Sequence, residues 1–319
     1  MDALSEALTA VRMTGAIFYR AECSAPWGFA VPALKGVAHL LAPGTERLVP
    51  YHLVTEGTAL LKFDGAPILL EAGDVVIIPH GEGHVVSNGT PASLIDSAGS
   101  LGQFLCGDLR TMRLGGGGAL TRFVCGYFGC ERQADRLFLA GLPQLIKINV
   151  RGDATGEWLE NCIRYLVNEA DAASPGNSVL LSKMAEALFV QTLRRYMKEL
   201  PAEQTGWLAG ARDPIVGGAL SLLHQSPSHA WSIDELASAV GTSRSVLAER
   251  FTGFLGESPL AYLAHWRLQL AARLLQTTHR FIGQIAADVG YTSQAAFNRA
   301  FKREFGVNPI AYRRNARGA

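Results

Sequence analysis

No stretch of this 319-residue chain approaches the roughly 18 uninterrupted apolar residues of a membrane-spanning helix. The opening Met1-Asp2-Ala3-Leu4-Ser5-Glu6 also lacks the basic region and apolar run of a secretory signal, so a cytoplasmic protein with no membrane partner is expected. Cysteine is scarce. The five residues Cys23, Cys106, Cys125, Cys130 and Cys162 form no Cys-x-x-Cys pair and are odd in number, which argues against a disulfide framework and for reduced thiols. Gly115 to Gly118 are four glycines in a row, but no Lys-Ser or Lys-Thr follows as a phosphate loop requires, leaving a flexible loop as the reading. Net charge is nearly absent at +1. Its distribution is uneven, however: the residues before Asp213 carry −3 and the rest +4. Clustered Lys and Arg draw phosphates at long range, so the C-terminal part is expected to meet a polyanion.

The length exceeds one domain of about 100 to 200 residues, and two domains with separate cores are expected. From Phe29 to Phe128, short apolar runs such as Ala59-Leu60-Leu61-Lys62-Phe63 and Asp74-Val75-Val76-Ile77-Ile78 alternate with Gly, Pro, Asn and Asp. That is the pattern of a small β-barrel or sandwich. Glu157 to Asp171 and Ser178 to Glu199 then carry apolar residues at helical spacing, among them Leu181, Met184, Ala185, Leu188, Leu193 and Met197. The second helix closes on Arg194, Arg195 and Lys198, which suit a helix C-terminus, and its apolar face serves either internal packing or a second copy of the chain. Leu200 to Gly206 breaks the helix and opens a linker expected to end near Asp213-Pro214. The expected architecture is α+β in two domains: a β-barrel with following helices over 1–200, a linker over 201–212, and an all-α domain over 213–319.

Ser232-Ile233-Asp234-Glu235 has the spacing of an N-cap with Glu at the third helical position, opening a helix from Ile233 to Val240. Gly241-Thr242-Ser243 ends it. Ser243 caps a second helix, Arg244 to Leu255, with Val246 or Leu247, Phe251 and Phe254 inward and Arg244, Ser245, Ala248 and Glu249 outward. This is a helix-turn-helix unit. It returns about fifty residues later as Ile282 to Val289, Gly290-Tyr291-Thr292, and Ser293 capping Gln294 to Phe305.

The run Ile285-Ala286-x-x-Val289-Gly290-Tyr291-x-Ser293-x-x-x-Phe297-x-Arg299-Ala300-Phe301-Lys302-x-x-Phe305-Gly306-x-x-Pro309-x-x-Tyr312-Arg313 resembles the signature of the AraC/XylS family of bacterial regulators. Gly256-x-Ser258-Pro259-x-x-Tyr262-x-x-x-Trp266-Arg267 matches the earlier unit, and the resemblance spans about Asp213 to Arg314. It implies double-stranded DNA and RNA polymerase as partners, a homodimer, and a reading helix from each unit in the major groove. A helix from Pro259 to Gln276 would hold the two heads about one DNA turn apart. The implied readers are Gln294, Ala295, Asn298 and Arg299 in the second helix and Arg244, Ser245 and Glu249 in the first; Asn and Gln suit adenine, Arg suits guanine. The chain departs from the commoner pattern at Leu247-Ala248-Glu249-Arg250, where Arg is usual two residues after the buried Leu. A carboxylate at Glu249 must accept from a cytosine amino group or cost affinity. Arg250 is counted with the DNA-contacting set, and Arg267, Lys302, Arg303, Arg313 and Arg314 are read as phosphate contacts or solvated charges.

Gly73-x5-Pro79-x-Gly81-x2-His84-x3-Asn88 matches the second motif of the cupin barrels at every position, and His52-x3-Glu56 keeps part of the first. The resemblance implies a cupin-like sensor barrel with three of the usual four metal ligands, His52, Glu56 and His84; Pro50 stands where another His is usual. Such ligands suit a divalent first-row ion, and a thiolate would favour zinc, so one Zn2+ is the candidate cofactor, with Cys23 as candidate fourth ligand and His80 as a further one. Two readings stand beside this: histidines merely hydrogen-bonded in the barrel, or oxidation joining Cys23 and Cys125, as regulators of this layout that respond to reactive oxygen or chlorine species suggest. For Cys125, simple core packing is the competing reading. The expected function is sequence-specific transcription regulation controlled by an effector, metal or oxidant sensed in the barrel. A cupin-type metal-dependent enzyme is the alternative from another class, and a DNA-binding module without sensing is a third.

Overall fold

A computed structural model describes residues 2–10, 13–34, 47–63, 65–89, 94–96, 112–130, 141–170, 175–201 and 203–317. It divides into two compact units, one of Arg12–Arg132 and Pro143–Glu199, the other of Met1–Val11, Gln133–Leu142 and Leu200–Ala319. The second unit takes in two short pieces from before residue 200 together with the C-terminal helices. No helix among the described residues is long and apolar enough to cross a membrane.

The first unit is built on strands β1 (Met13–Ser24), β2 (Trp27–Val31), β3 (Arg47–Glu56), β4 (Thr58–Lys62), β5 (Ile68–Glu71), β6 (Asp74–Ile77), β7 (His84–Asn88), β8 (Ile95–Asp96), β9 (Met112–Gly115), β10 (Leu120–Cys130) and β11 (Ile146–Asn149). They form a six-stranded sheet ordered β11-β6-β3-β10-β1-β9 and a five-stranded sheet ordered β5-β4-β7-β2-β8. Trp27, Phe29, Val54, Leu61, Val86 and Phe123 fill the space between the sheets, as alternating inward side chains do in packed sheets. Helices α2 (Ala154–Ala170) and α3 (Asn177–Glu199) cover β1 from outside, and Phe189 of α3 meets Phe128 edge-on, with ring centroids 5.7 Å apart.

Among its described residues the second unit is built from helices. Helix α1 (Ala3–Ala10) is capped by Asp2, whose Oδ1 accepts the Ser5 N–H at 3.0 Å. It buries Ala3, Leu4 and Ala7 and packs on α5 (Pro214–Gln225). The expected linker is only half a linker: Trp207-Leu208-Ala209 is buried in a short helix, α4 (Trp207–Arg212), because three consecutive apolar residues gain more from burial than from solvent. Asp213 caps α5, its Oδ1 accepting from the Ile215 and Val216 amides at 3.0 and 2.9 Å. Then come α6 (Ile233–Ala239), α7 (Arg244–Leu255), α8 (Pro259–Thr277), α9 (Ile282–Asp288), α10 (Gln294–Phe305) and α11 (Pro309–Arg317).

Candidate DNA-reading helices and a buried polar chain

Helices α7 and α10 start, pack and stop alike. Ser243 Oγ accepts from the Val246 amide at 3.3 Å and Ser293 Oγ from the Ala296 amide at 3.2 Å, satisfying N–H groups that a helix start leaves unpaired. Leu247 and Phe251 are fully buried in α7, and Phe297 and Phe301 in α10. Each pair anchors its helix by about 1.5 to 3 kcal/mol per side chain. Val246 stays exposed, which settles the choice between it and Leu247. Tyr262 meets Phe251 edge-on at 5.7 Å and Tyr312 meets Phe301 in the same way at 5.3 Å. Both helices end on a glycine in the left-handed region, Gly256 and Gly306, each at φ 76°, where a side chain would be strained. Between them α8, about 28 Å long at 1.5 Å per residue, packs on both.

Burial of these anchors leaves the opposite faces open. Arg244, Ser245 and Glu249 are exposed on α7, and Gln294, Ala295, Arg299 and Lys302 on α10. Asn298 is half-buried, and its Oδ1 is buried without a hydrogen-bond partner among the described residues. Arg303 and Arg314 are exposed. Three arginines expected at DNA or as solvated charge also have partners within the fold. Arg250 pairs with the capping Asp213. Arg267 is half-buried and donates to the Pro227 and His229 carbonyls at 2.6 and 2.7 Å, bracing the turn before α6. Arg313 donates to the Arg280 carbonyl at 2.6 Å. A guanidinium held on such acceptors has fewer N–H groups left for DNA, whether the contact expected was unspecified, as for Arg250, or to phosphate, as for Arg267 and Arg313.

In the sheet unit the cupin motif brings together only part of the expected ligand set. His52 on β3 and His84 on β7 are buried, with Nε2 atoms 2.9 Å apart. Glu56 is elsewhere. Phe123 pairs with Val54 but Arg122 pairs with Glu56, so Thr55 is an extra residue, and this bulge turns Glu56 outward, where it binds Arg122. Cys23 is also displaced. It pairs with Thr121 while Cys125 pairs with Tyr19, an offset of four residues or about 13 Å along the strands. A disulfide needs Cα atoms within about 7 Å, so Cys23 and Cys125 do not join in this fold. Since His52 pairs with Cys125, the same offset removes Cys23 from the histidines. Its thiol is pushed up to about 12 by burial. His80 joins no ligand cluster either: no group of three or more His, Cys, Asp or Glu side chains fit to hold a metal occurs among the described residues. The residues present therefore do not fit the expected metal centre.

What the register does create is a chain. His52 Nδ1 lies 2.9 Å from Cys125 Sγ, and His84 Nδ1 lies 2.9 Å from the Glu82 carbonyl oxygen. Burial holds His52 well below its usual range, helped by the neighbouring His84, and lowers His84 to about 4, so both rings are neutral near pH 7. Neutrality sets every proton. A carbonyl only accepts, so His84 Nδ1 donates and its Nε2 accepts from His52; His52 Nδ1 must then accept from the Cys125 thiol. Sequence reasoning missed a second chain of this kind in the helical unit. Trp207 Nε1 donates to the Tyr262 hydroxyl at 3.0 Å, and that hydroxyl donates to His224 Nε2 at 2.8 Å. Nothing local in the sequence links Trp207, inside the expected linker, to the motif residue Tyr262.

Residues 2–198 match the family model described as Cupin, and residues 236–315 the model described as Helix-turn-helix domain. The chain is 31% identical to the HTH-type transcriptional regulator AlkR of Acinetobacter baylyi, covering 99% of this chain and 100% of that protein. It is 32% identical to a putative AraC-like transcription regulator of Streptomyces antibioticus, over 84% of this chain and 88% of that one. Among solved structures, the DNA-binding domain of AdpA in complex with a target DNA is 28% identical over 33% of this chain and 95% of that one, at a TM-score of 0.32. With both halves matched and relatives aligned along nearly their whole length, the chain belongs to the AraC family of transcription regulators that carry an N-terminal cupin domain.

Proposed function

We propose that this protein regulates transcription by reading an operator with α7 and α10, under the control of a small effector or an oxidant sensed in the sheet unit. The supporting observation is the repeat itself: two helices with matching caps and anchors, each leaving hydrogen-bonding side chains uncovered on its outer face. Gln294 and Arg299 suit adenine and guanine edges, while Glu249 biases the first helix toward cytosine. Lys302 serves as a phosphate contact. Trp158 and Tyr165, seven residues apart on α2, are exposed large side chains that suit pairing with a second copy. RNA polymerase is the further partner this role entails.

In this reading the buried chain of Cys125, His52 and His84 is the responsive element. Any change to one member reverses or breaks the proton order of the rest, shifting the packing of β3, β7 and β10, and linkage carries that shift to DNA affinity. Control by an oxidant is favoured by one contact, the Cys125 thiol on His52: peroxide would take the thiol to a sulfenic acid with release of water, adding an oxygen where the site is closely packed. The metal-dependent enzyme reading lacks a ligand set among the described residues.

A gel shift on the protein's own promoter region tests the reading. Arg299→Ala should lose about 1 to 3 kcal/mol and relax preference at one base pair; equal loss on every sequence would make it a phosphate contact. Cys125→Ser and His84→Ala, whatever their own affinity for DNA, should show no further change in binding when hydrogen peroxide is added, and a retained response removes the chain from sensing.

A further inference from the structure

Within the helical unit a cavity of about 390 Å3 opens where α4, α7, α8 and α10 meet. Its size falls in the range of small-molecule sites. Three properties of the lining select the chemistry of an occupant. The first is charge. Glu257 and Glu304 both line it with side chains only 30% and 26% exposed, and His265 lies between them, Nδ1 at 3.0 Å from Glu257 and Nε2 at 4.0 Å from Glu304. Even a protonated imidazole offsets one of two negative charges, so the cavity keeps an excess of negative charge inside the more basic part of the chain. Partly buried carboxylates of this kind favour a cationic partner.

The second property is an unused polar group. Gln269, in the middle of α8, lines the cavity at 7% exposure, and its side-chain amide has no hydrogen-bond partner among the described residues. Buried primary amides are almost always paired in folded proteins, and an unpaired one facing a cavity marks where a ligand donor would sit. The third is aromatic surface: Trp207, Phe254 and Tyr262 line the same space. The Tyr262 hydroxyl is already used by Trp207 and His224, so this residue presents its ring to an occupant. Aromatic faces attract organic cations. The carboxylates and His265 do not form a metal-holding group.

We infer that this cavity binds a small organic cation, a primary ammonium or guanidinium with an apolar body, whose N–H groups meet Glu257, Glu304 and the Gln269 oxygen. Phe254 and Leu255 belong to the end of α7 and Glu304 to the end of α10. An occupant therefore touches the last turns of both reading helices at once. Binding here stands apart from any operator, because it requires only the cavity.

Titration calorimetry on the full chain tests it with 2-phenylethylammonium, butylammonium and agmatine, each beside a neutral alcohol of matching shape. At least one cation should bind saturably and its alcohol about tenfold or more weakly, the usual margin of a charge-assisted contact. Glu304→Gln should remove about the same factor, with melting curves showing the fold intact. Gln269→Leu should also weaken binding, and Glu257→Gln replaces it if the leucine variant does not fold. Failure of all three cations to bind, equal binding of the alcohols, or unchanged affinity in the folded variants would overturn the inference. No DNA is present, so this result is separate from the outcome of the gel shift.

Discussion

Each unit carries one chain of buried hydrogen bonds, and the two are closed in different ways. In the sheet unit the chain runs from Cys125 through His52 and His84 to the Glu82 carbonyl, and the first link is a cross-strand pair of β3 and β10. Strand register alone aligns those two residues. In the helical unit the chain runs from Trp207 through Tyr262 to His224, whose ring stacks on Trp266 at 3.9 Å. Its last nitrogen, Nδ1, has no hydrogen bond of good geometry among the described residues, although the Ala3 backbone lies close enough to pull its pKa slightly upward against burial. This chain therefore ends on a packed neighbour and not on a hydrogen bond. A chain within a sheet is closed by local pairing; one among helices depends on what docks over its end.

Breaking the first chain at its centre has the largest expected effect. His52→Leu leaves the Cys125 thiol and His84 Nε2 buried without their partner and should cost about 4 kcal/mol in urea unfolding; a loss below about 1 kcal/mol would mean the chain contributes little. Acid comes next and acts on both units. An unfolded histidine titrates near 6.5, whereas burial lowers His84 to about 4 and His224 to about 3. As pH falls below 6.5 the unfolded chain takes up protons that the folded one refuses, so stability present above 6.5 is lost progressively down to those values and then levels off. Each group contributes on the order of 3 kcal/mol, and His224→Phe should flatten the lower end of the stability curve. Tyr262→Phe removes one oxygen, orphans Trp207 Nε1 and His224 Nε2, and should cost about 2 kcal/mol. The smallest effect sharpens the comparison most. Leu4→Ala, on the helix that packs over α5, should cost no more than about 2 kcal/mol, the low end for a leucine truncation, and increase hydrogen exchange in α5 while leaving the strands unchanged; slowed or unaltered exchange in α5 would separate α1 from that chain.

Legibility in the sequence followed the range of the interactions. The repeat could be read almost to the residue: Arg244 to Leu255 and Gln294 to Phe305 are the helices expected, with the expected Ser243 and Ser293 caps, because caps, glycine turns and helical spacing are local. The α+β division and the sheet-rich half were legible from alternation. The ligand set was not. His52-x3-Glu56 predicts two side chains on one face only if the strand is regular, and the bulge at Thr55 depends on pairing with β10. Cys23 and Cys125 look interchangeable as core thiols until register separates them. Arg250 read as a DNA contact and Arg267 as a phosphate contact or solvated charge because their acceptors, Asp213 and the carbonyls of Pro227 and His229, are nearly forty residues away.

The seating of α1 on α5 bears on how the protein is divided for study. A fragment beginning at residue 200 would retain every reading residue and yet leave behind the cover formed by Ala3, Leu4 and Ala7. The uncovered side of α5 would be greasy, with the His224 imidazole newly wetted, and such a fragment will be prone to clump unless the first ten residues are supplied as a peptide or fused ahead of it.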